Sequence, residues 1–288
     1  MKKSLLKFAF LILAAVLFLP GCGSQPEYPS INYSSTKDYN YGQVVWRDLV
    51  TPDPKKAAQF YKEVFGWTSS QAGTDDNPYW IFKSNGKPVG GMYLMSDSKK
   101  NAGGEWIPYF SVSSLNDIIT KSKTSGGNDI IKPTELSGRG SVALLTDNEN
   151  AYFAIIKSAN GDPATVDPLE FQFLWNELWS NDMQKSENFY KNIFNSQIEN
   201  KKDDDRDYVI IKNNGKPSAG IIQNPAENVR THWIQYVRVT DPNDIEKKIK
   251  NAGGTVLIPV DSTIRNGSVS VFADPTGAPI AIQKWPIK

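Results

Sequence analysis

Cysteine and histidine are nearly absent from this sequence, whose 288 residues include one of each. A single cysteine excludes an internal disulfide and a thiolate cluster for zinc. A single histidine excludes a metal site built from several imidazoles of one chain. An excess of one charge is also lacking, because 32 basic and 31 acidic residues leave a net charge of +1. Without a basic patch, nucleic acid is not an expected partner.

The chain has no apolar run of the length that an ordinary membrane span requires. Residues 8–19 form a run of about a dozen, whereas a helix across a bilayer needs roughly 20. Lysines precede this run, and it ends at the tetrapeptide Leu-Pro-Gly-Cys22. A positive start, a short apolar run and small residues at its exit are typical of a secretory signal. The exit also resembles the bacterial lipobox, whose cysteine is lipid-modified and becomes the first mature residue.

We therefore predict a lipoprotein signal peptide over residues 1–22, with Cys22 as the lipidation site and a lipid anchor in the membrane. Two or more lipid chains give the stable anchoring that one chain does not. The expected location is the cell envelope: the outer membrane of a Gram-negative host, or the outer face of the cell membrane of a Gram-positive one. A buried cysteine after an ordinary signal peptide is the alternative. Residues 23–40, polar and without an apolar period, are predicted to be a flexible tether.

The rest of the sequence repeats itself. Two pairs of segments match at an offset of 129 positions (175 − 46 and 214 − 85): Trp46–Leu49 with Trp175–Leu178, and Asn85–Pro88 with Asn214–Pro217. A repeat of this length indicates a duplicated domain. We predict a first module over residues 41–158, a linker over 159–169 and a second module over 170–288.

Each module is predicted to begin with a strand and a capped helix. Asp53 is the expected N-cap, Pro54 takes the first helical position, and Gly66 ends the helix. Apolar residues recur between them at helical spacing. Asn85-Gly86 predicts a hairpin turn. The resulting order is βαβββ, followed by a second strand–helix–strands group, which is an α+β fold.

These motifs resemble the vicinal oxygen chelate superfamily, which includes glyoxalase I, bleomycin-resistance proteins and extradiol dioxygenases. The motif that opens the first module runs from Trp46-x-Asp-Leu, through Thr51-x-Asp53-x4-Ala-x-Phe-Tyr, to x3-Phe-Gly-Trp67. Asp274-Pro-x-Gly277 before a short apolar strand resembles the usual end of a module. The likeness covers about residues 43–286 and is greatest to two-module glyoxalase-like proteins. It implies two tandem α+β modules whose curled mixed sheets form clefts.

The resemblance also implies where a metal would be held. Enzymes of this superfamily bind a divalent metal in the cleft through His, Glu or Gln at fixed strand positions. Transferred by the motif, those positions fall on six residues: Trp46, Ile107 and Ala154 in the first module, and Trp175, Ile234 and Ala281 in the second. None of these side chains ligates a metal. We therefore expect no metal and no cofactor.

Side chains two apart on a strand share a face, so the register predicts two clefts lined by aromatic residues and a few acids. We predict seven ligand-binding residues: Trp46, Asp48 and Tyr109 in the first cleft, and Trp175, Glu177, Trp179 and Tyr236 in the second. Such walls suit a small planar or cationic molecule. In the alternative, the tryptophans fill the place vacated by the metal and the clefts are closed core.

Two further interpretations concern charged residues. Asp48 and Glu177 are either general bases with raised pKa values or structural groups that bond backbone amides or an arginine. His232 is expected to be a surface or hydrogen-bonded residue, with a residual metal site the less favoured alternative. Arg47, Arg139 and Arg265 are expected to be solvated or paired on the surface.

Three functions remain open from the sequence. The favoured one is a membrane-anchored protein, not an enzyme, that binds or sequesters a small aromatic molecule in a cleft. The second is a metal-dependent glyoxalase-like lyase or dioxygenase with unusual ligands. The third is an envelope scaffold or interaction protein. The protein is expected to be a monomer or a homodimer, since paired modules can form the cleft within one chain.

Overall fold

The computed structural model describes residues 28–33, 37–73, 77–96, 103–203 and 205–286. The predicted signal peptide and Cys22 lie outside these residues. Within the described part, no helix has both the length and the apolar character needed to cross a bilayer.

The first module forms one sheet of eight strands. Its elements in chain order are β1 (Val44–Thr51), α1 (Pro54–Phe65), β2 (Thr68–Gln71), β3 (Tyr79–Ser84), β4 (Lys87–Leu94), β5 (Glu105–Ser111), α2 (Leu115–Thr124), β6 (Asn128–Leu136), β7 (Gly140–Thr146) and β8 (Tyr152–Ser158).

The second module forms an equivalent sheet of eight strands. Its elements are β9 (Phe173–Ser180), α3 (Met183–Phe194), β10 (Gln197–Asp203), β11 (Arg206–Asn213), β12 (Lys216–Gln223), β13 (His232–Val239), α4 (Pro242–Asn251), β14 (Thr255–Ile258), β15 (Val269–Ala273) and β16 (Pro279–Lys284), with a 3-10 turn at Arg265–Gly267 before β15.

The two sheets have the same mixed topology, which confirms the predicted α+β fold. The first runs β2-β3-β4-β1-β5-β8-β7-β6, and the second runs β10-β11-β12-β9-β13-β16-β15-β14. Each module is thus two βαβββ units joined at their first strands: β1 pairs antiparallel with β5, and β9 with β13. This central junction places the first strands of all four units in the middle of the molecule.

The helix ends follow from local chemistry. Asp53 accepts a hydrogen bond from Lys56 N at 3.0 Å, and Gly66 ends α1 at a φ of 69°. In the second module Asp182 caps α3 in the same way. Asn195 replaces the glycine at the helix end with a φ of 54°, which asparagine tolerates better than most residues.

The four helices lie between the modules, and the two sheets share two apolar cores, each built from residues of both modules. Phe60 of α1 packs against Phe272 of the second module, with ring centroids 5.9 Å apart. Phe153 of β8 likewise packs against Tyr190 of α3, with centroids 5.7 Å apart. Helices α1 and α4 contact each other, as do α2 and α3. Because each module completes the core of the other, we expect them to unfold together.

The other face of each sheet holds a second set of buried residues. In the first module this set includes Tyr28 and Ile31, which are 6% and 2% exposed. Both belong to the segment predicted to be a flexible tether, so that prediction is wrong for residues 28–32. Tyrosine and isoleucine give the segment enough apolar surface to pack, although they follow no helical or strand period.

Candidate binding clefts

Strand pairing brings the sequence-predicted positions together on the face of each sheet opposite the helices. In the first module Trp46 lies opposite Tyr109, and Tyr109 lies beside Ala154 on the next strand. One step along, Asp48 faces Ile107. The second module repeats this pattern: Tyr236 lies between Trp175 and Ala281, and Glu177 faces Ile234. The six positions implied for metal ligands therefore line the two clefts.

Asp48 is the centre of a buried network in the first cleft. Its Oδ1 accepts from Trp46 Nε1 at 2.8 Å and from the Tyr79 hydroxyl at 2.7 Å. Arg139 donates to the Tyr79 hydroxyl at 2.8 Å, and its Nη1 lies 3.7 Å from Asp48 Oδ2. The Arg139 and Asp48 side chains are 0% and 1% exposed. An acid and a base are thus enclosed together under aromatic rings.

Burial and charge fix the ionisation states of this network. Burial and the nearby Asp48 carboxylate raise the pKa of Tyr109 well above its ordinary value. Burial by itself lowers the pKa of Arg139, but Tyr79 and Asp48 raise it further, so the net shift is upward. Arg139 therefore keeps its charge, and the tyrosines keep their protons, throughout the physiological pH range.

The chain itself fills the first cleft. The Tyr28 ring packs on Tyr79, with centroids 5.4 Å apart, and lies 5.6 Å from the Arg139 guanidinium carbon. Arg139 Nε donates to the carbonyl of Pro29 at 3.3 Å, and Tyr28 N donates to the Ser137 carbonyl at 2.8 Å. An aromatic ring followed by a carbonyl oxygen therefore occupies the place above the Asp48–Arg139 pair.

Glu177 has the corresponding role in the second cleft. Its Oε1 lies 2.7 Å from Arg265 Nη2, and its Oε2 accepts from the Tyr236 hydroxyl at 2.5 Å and from Trp179 Nε1 at 3.2 Å. Arg265 also donates from Nε to Asp203 at 2.7 Å. Burial raises the pKa of Glu177, but Arg265 and the hydrogen bonds from Tyr236 and Tyr208 together lower it by more, so the net shift is downward. Glu177 is therefore a carboxylate without the raised pKa expected of a general base near neutral pH.

The two clefts carry the same five kinds of residue at repeat-related positions. The pairs are Trp46 with Trp175, Asp48 with Glu177, and Tyr79 with Tyr208 (each 129 apart), Tyr109 with Tyr236 (236 − 109 = 127), and Arg139 with Arg265 (265 − 139 = 126). The second cleft includes a hydrogen bond from Trp175 Nε1 to the Tyr208 hydroxyl at 2.7 Å. Duplication has thus preserved the residue types, while the hydrogen bonds differ: Arg139 donates to Tyr79, whereas Arg265 donates to Glu177.

Sequence reasoning missed four members of this network. Tyr79 and Tyr208 share the offset of the repeat, and that signal identifies them as a matched pair. The prediction that Arg139 and Arg265 lie on the surface is wrong, because their side chains are 0% and 10% exposed. Each arginine comes from a loop between two late strands and supplies the counter-charge of a strand acid. Arg47, also expected on the surface, lies partly buried between the modules.

The two clefts differ in what covers them. The first contains Tyr28 and Ile31 in its apolar cluster. The cluster of the second contains, within the described part, only residues of its own module. Five apolar side chains of this second cluster are partly exposed: Leu174, Trp175, Ile222, Ile258 and Ile264. Both clusters have partly exposed apolar side chains at their edges, so the packed segment that contains Tyr28 and Ile31 is what distinguishes the first cleft from the second.

The residues at the family's metal positions do not fit a divalent ion. Across the described ranges, no group of three histidine, cysteine or acidic residues lies close enough to share one. The acid at the centre of each cleft is already paired with a buried guanidinium, whose charge would repel a cation. His232 lies at the start of β13, where its Nδ1 is 2.8 Å from the Arg230 carbonyl oxygen. It is thus a hydrogen-bonded residue beside Trp179.

Comparisons with known proteins agree with this geometry. The model of the Glyoxalase/Bleomycin resistance protein/Dioxygenase superfamily matches residues 172–282. The chain is 25% identical over 258 residues to "Putative glyoxylase CFP32" of Mycobacterium bovis, covering 86% of this chain and 96% of that protein. It is 26% identical over 259 residues to "Anthracycline biosynthesis protein DauV" of Streptomyces sp. strain C5, covering 84% and 92%.

Solved structures share the fold at low sequence identity. The Mn(II)-bound glyoxalase from Novosphingobium aromaticivorans aligns with a TM-score of 0.58 and 13% identity, over 86% of this chain and 83% of that one. A catechol 2,3-dioxygenase aligns with a TM-score of 0.53 and 12% identity, over 85% and 88%. The second module therefore matches the glyoxalase/bleomycin resistance protein/dioxygenase superfamily, and the two modules together share the fold of these solved structures.

Proposed function

We propose that this chain is a membrane-anchored, non-enzymatic member of the superfamily that binds a small planar aromatic molecule in the cleft of its second module. One contrast carries the proposal. Both clefts have the same aromatic and ion-paired lining, yet the first is filled by the chain's own residues 28–32. Within the described part of the chain, the apolar cluster of the second contains no such segment. Because the second cleft has the lining of the first but lacks the segment that fills it, the second cleft is suited to bind a separate molecule.

The segment in the first cleft indicates which chemistry suits the second. Tyr28 contributes an aromatic ring, and Pro29 contributes a carbonyl that accepts from Arg139. In the second cleft the equivalent surroundings are Tyr208, Tyr236 and Arg265, whose guanidinium lies 5.6 Å and 5.5 Å from the two tyrosine rings. A planar aromatic molecule with carbonyl oxygens presents the same two features. The relatives named anthracycline biosynthesis proteins support an anthracycline as the first probe.

The geometry favours binding over catalysis. Arg265, Tyr236 and Trp179 already occupy the oxygens of Glu177, and Arg265 holds its pKa below the ordinary value. A general base needs a free oxygen directed at substrate and a pKa near the working pH. The name "putative glyoxylase" supports a metal-dependent lyase as the second candidate, but the donor set of the cleft does not favour it.

Anchoring through Cys22 is part of the same proposal. Tyr28 is only six positions after Cys22 (28 − 22), a length that spans at most about 20 Å when fully extended. Because Tyr28 is packed in the first cleft, the lipid would hold the folded part close to the membrane. Such a position suits the capture of an apolar aromatic molecule near the envelope surface.

The test uses the soluble chain that begins after Cys22. It is titrated with an anthracycline at equilibrium, and binding is measured by the change in tryptophan fluorescence. We expect one saturable site per chain. Trp175→Ala should weaken binding about tenfold or more, with a small change in Tm because Trp175 is partly exposed. Trp46→Ala is the matched control: it alters the filled cleft and should leave affinity unchanged.

Two results would overturn the proposal. If a panel of planar aromatic molecules fails to bind, the clefts are closed core and the scaffold interpretation takes its place. If both tryptophan variants weaken binding equally, the second cleft is not the specific binding site. Metal content of the same untagged protein, after incubation with Zn, Mn and Fe(II), tests the lyase. One tightly held ion per chain would favour the enzyme and show that the residues of the chain can hold a metal.

A further inference from the structure

The modules meet at a polar island within an otherwise apolar interface. The polar island consists of Arg47, Asn176 and Gln235. Arg47 of β1 lies opposite Pro108 of β5, and Asn176 of β9 lies opposite Gln235 of β13. The neighbours two positions along these strands belong to the apolar clusters that join the modules, and include Leu49, Trp106, Phe110, Leu178, Trp233 and Val237. Placing polar groups in such surroundings costs free energy. Stability alone does not explain the island.

Arg47 brings a charge to the island without a counter-charge. Its Nε donates to Asn176 Oδ1 at 2.9 Å and to Gln235 Oε1 at 3.3 Å, and both acceptors are neutral. Burial lowers the pKa of Arg47 to about 9, and among the described residues no acid raises it back. The guanidinium is therefore charged at neutral pH and only partly compensated.

Several hydrogen-bond donors converge at the island without a partner. Gln235 is 0% exposed, and its Nε2 has no acceptor in the part of the chain that the structure describes. This nitrogen belongs to the amide that accepts from Arg47, so it lies beside the guanidinium. Among the described residues Arg47 hydrogen-bonds through Nε, and because its side chain is partly exposed, Nη1 and Nη2 are left to solvent or to a ligand. The partly exposed ring of Phe173, with its centroid 4.8 Å from the guanidinium carbon, forms the outer wall.

We propose that the island binds a small oxyanion, a carboxylate or a phosphate, through the Nη atoms of Arg47 and Nε2 of Gln235. A guanidinium can donate to two oxygens of such an anion at once. The apolar surroundings strengthen the attraction because they screen charge less than water does. Side chains alternate along a strand, so Arg47 points away from the cleft face that carries Trp46 and Asp48. The site is thus independent of the cleft and of the function proposed for it.

The experiment measures Tm of the soluble chain in inorganic phosphate, acetate or chloride at matched ionic strength and pH 7. We expect phosphate, acetate or both to raise the Tm of the wild-type protein saturably, by about 3 °C at ten times Kd, while chloride does not. Arg47→Gln should abolish this dependence. Without added oxyanion its Tm should equal or exceed that of the wild-type protein, because an uncompensated charge has been removed. The anion that raises the Tm at the lower concentration, phosphate or acetate, shows which class of oxyanion the site prefers.

Two controls keep the result specific to the island. Arg206→Gln removes an exposed guanidinium, half of whose surface is accessible (50%), and should respond to oxyanions as the wild-type protein does. Gln235→Leu keeps the charge but removes the orphan donor, and should weaken the apparent Kd about tenfold. A Tm rise that is equal in chloride, or that persists unchanged in both Arg47→Gln and Gln235→Leu, would overturn the proposal.

Discussion

Glu177 and Arg265 form a tight ion pair on the floor of the second cleft, with Oε1 and Nη2 2.7 Å apart and the Glu177 side chain 0% exposed. The equivalent pair in the first cleft, Asp48 and Arg139, is looser, at 3.7 Å. In both modules the strand acid is neutralised within its own cleft. A molecule entering the second cleft therefore meets aromatic walls above a floor whose central acid is already paired, which favours a ligand without a full charge.

The first prediction concerns the tight ion pair. Glu177→Gln should destabilise the protein by about 3–5 kcal/mol, because it removes the carboxylate charge that lies 2.7 Å from a largely buried guanidinium. Urea unfolding at pH 7 measures the difference. Asp203→Asn is the control and should cost about 1 kcal/mol or less, since Asp203 is 27% exposed. Equal losses in the two variants would mean that Glu177 is not the main partner of Arg265.

The second prediction concerns the segment in the first cleft. Tyr28→Ala combined with Ile31→Ala should cost about 3–5 kcal/mol, because both side chains are buried against the cleft wall. If the second cleft binds an aromatic probe, the double variant should also raise the stoichiometry from one site per chain to two. Tyr33→Ala is the control, since Tyr33 is 59% exposed. A stability loss no larger than that of the control would show that the segment does not fill the cleft in solution.

The repeat and the capping residues were enough to predict the fold, because both signals are local or periodic. Asp53 and Gly66 bound α1 as predicted, and the alternation along β1 correctly placed Trp46 and Asp48 on one face. The arginines could not be placed in this way. Arg139 and Arg265 reach their partners from loops, across separations of 91 and 88 positions (139 − 48 and 265 − 177), and no periodic pattern encodes such a contact.

The third prediction concerns the membrane anchor. In a bacterial host that processes lipoproteins, Cys22→Ser should move the full chain from the membrane fraction to the soluble fraction, because it removes the only thiol that can carry a lipid. Metabolic labelling with palmitate should mark the wild-type chain and not the variant. A variant that stays with the membrane, together with an unlabelled wild-type chain, would contradict the lipoprotein assignment.

The last prediction concerns Asp147, a buried carboxylate between the modules. It accepts from the Tyr190 hydroxyl at 2.9 Å and from the backbone of Glu149 and Ala151. Burial outweighs these hydrogen bonds and raises the pKa of Asp147 to about 6, from 3.8. The folded chain therefore binds a proton between about pH 4 and pH 6 that the unfolded chain does not. The stability contributed by this group is fully present below pH 3.8 and is lost as pH rises through 6.

Asp147→Asn removes this titration, so the wild-type protein should lose about 3 kcal/mol relative to the variant between pH 4 and pH 7. Urea unfolding at unit intervals of pH measures the difference, and the equivalent carboxylate Asp274 cancels because both proteins contain it. Asp261→Asn provides a control of opposite sign: hydrogen bonds from Thr263 lower the pKa of Asp261, so its contribution grows with rising pH. If the difference in free energy of unfolding between the wild-type protein and Asp147→Asn stays constant from pH 4 to pH 7, Asp147 has the same pKa in the folded and unfolded chains.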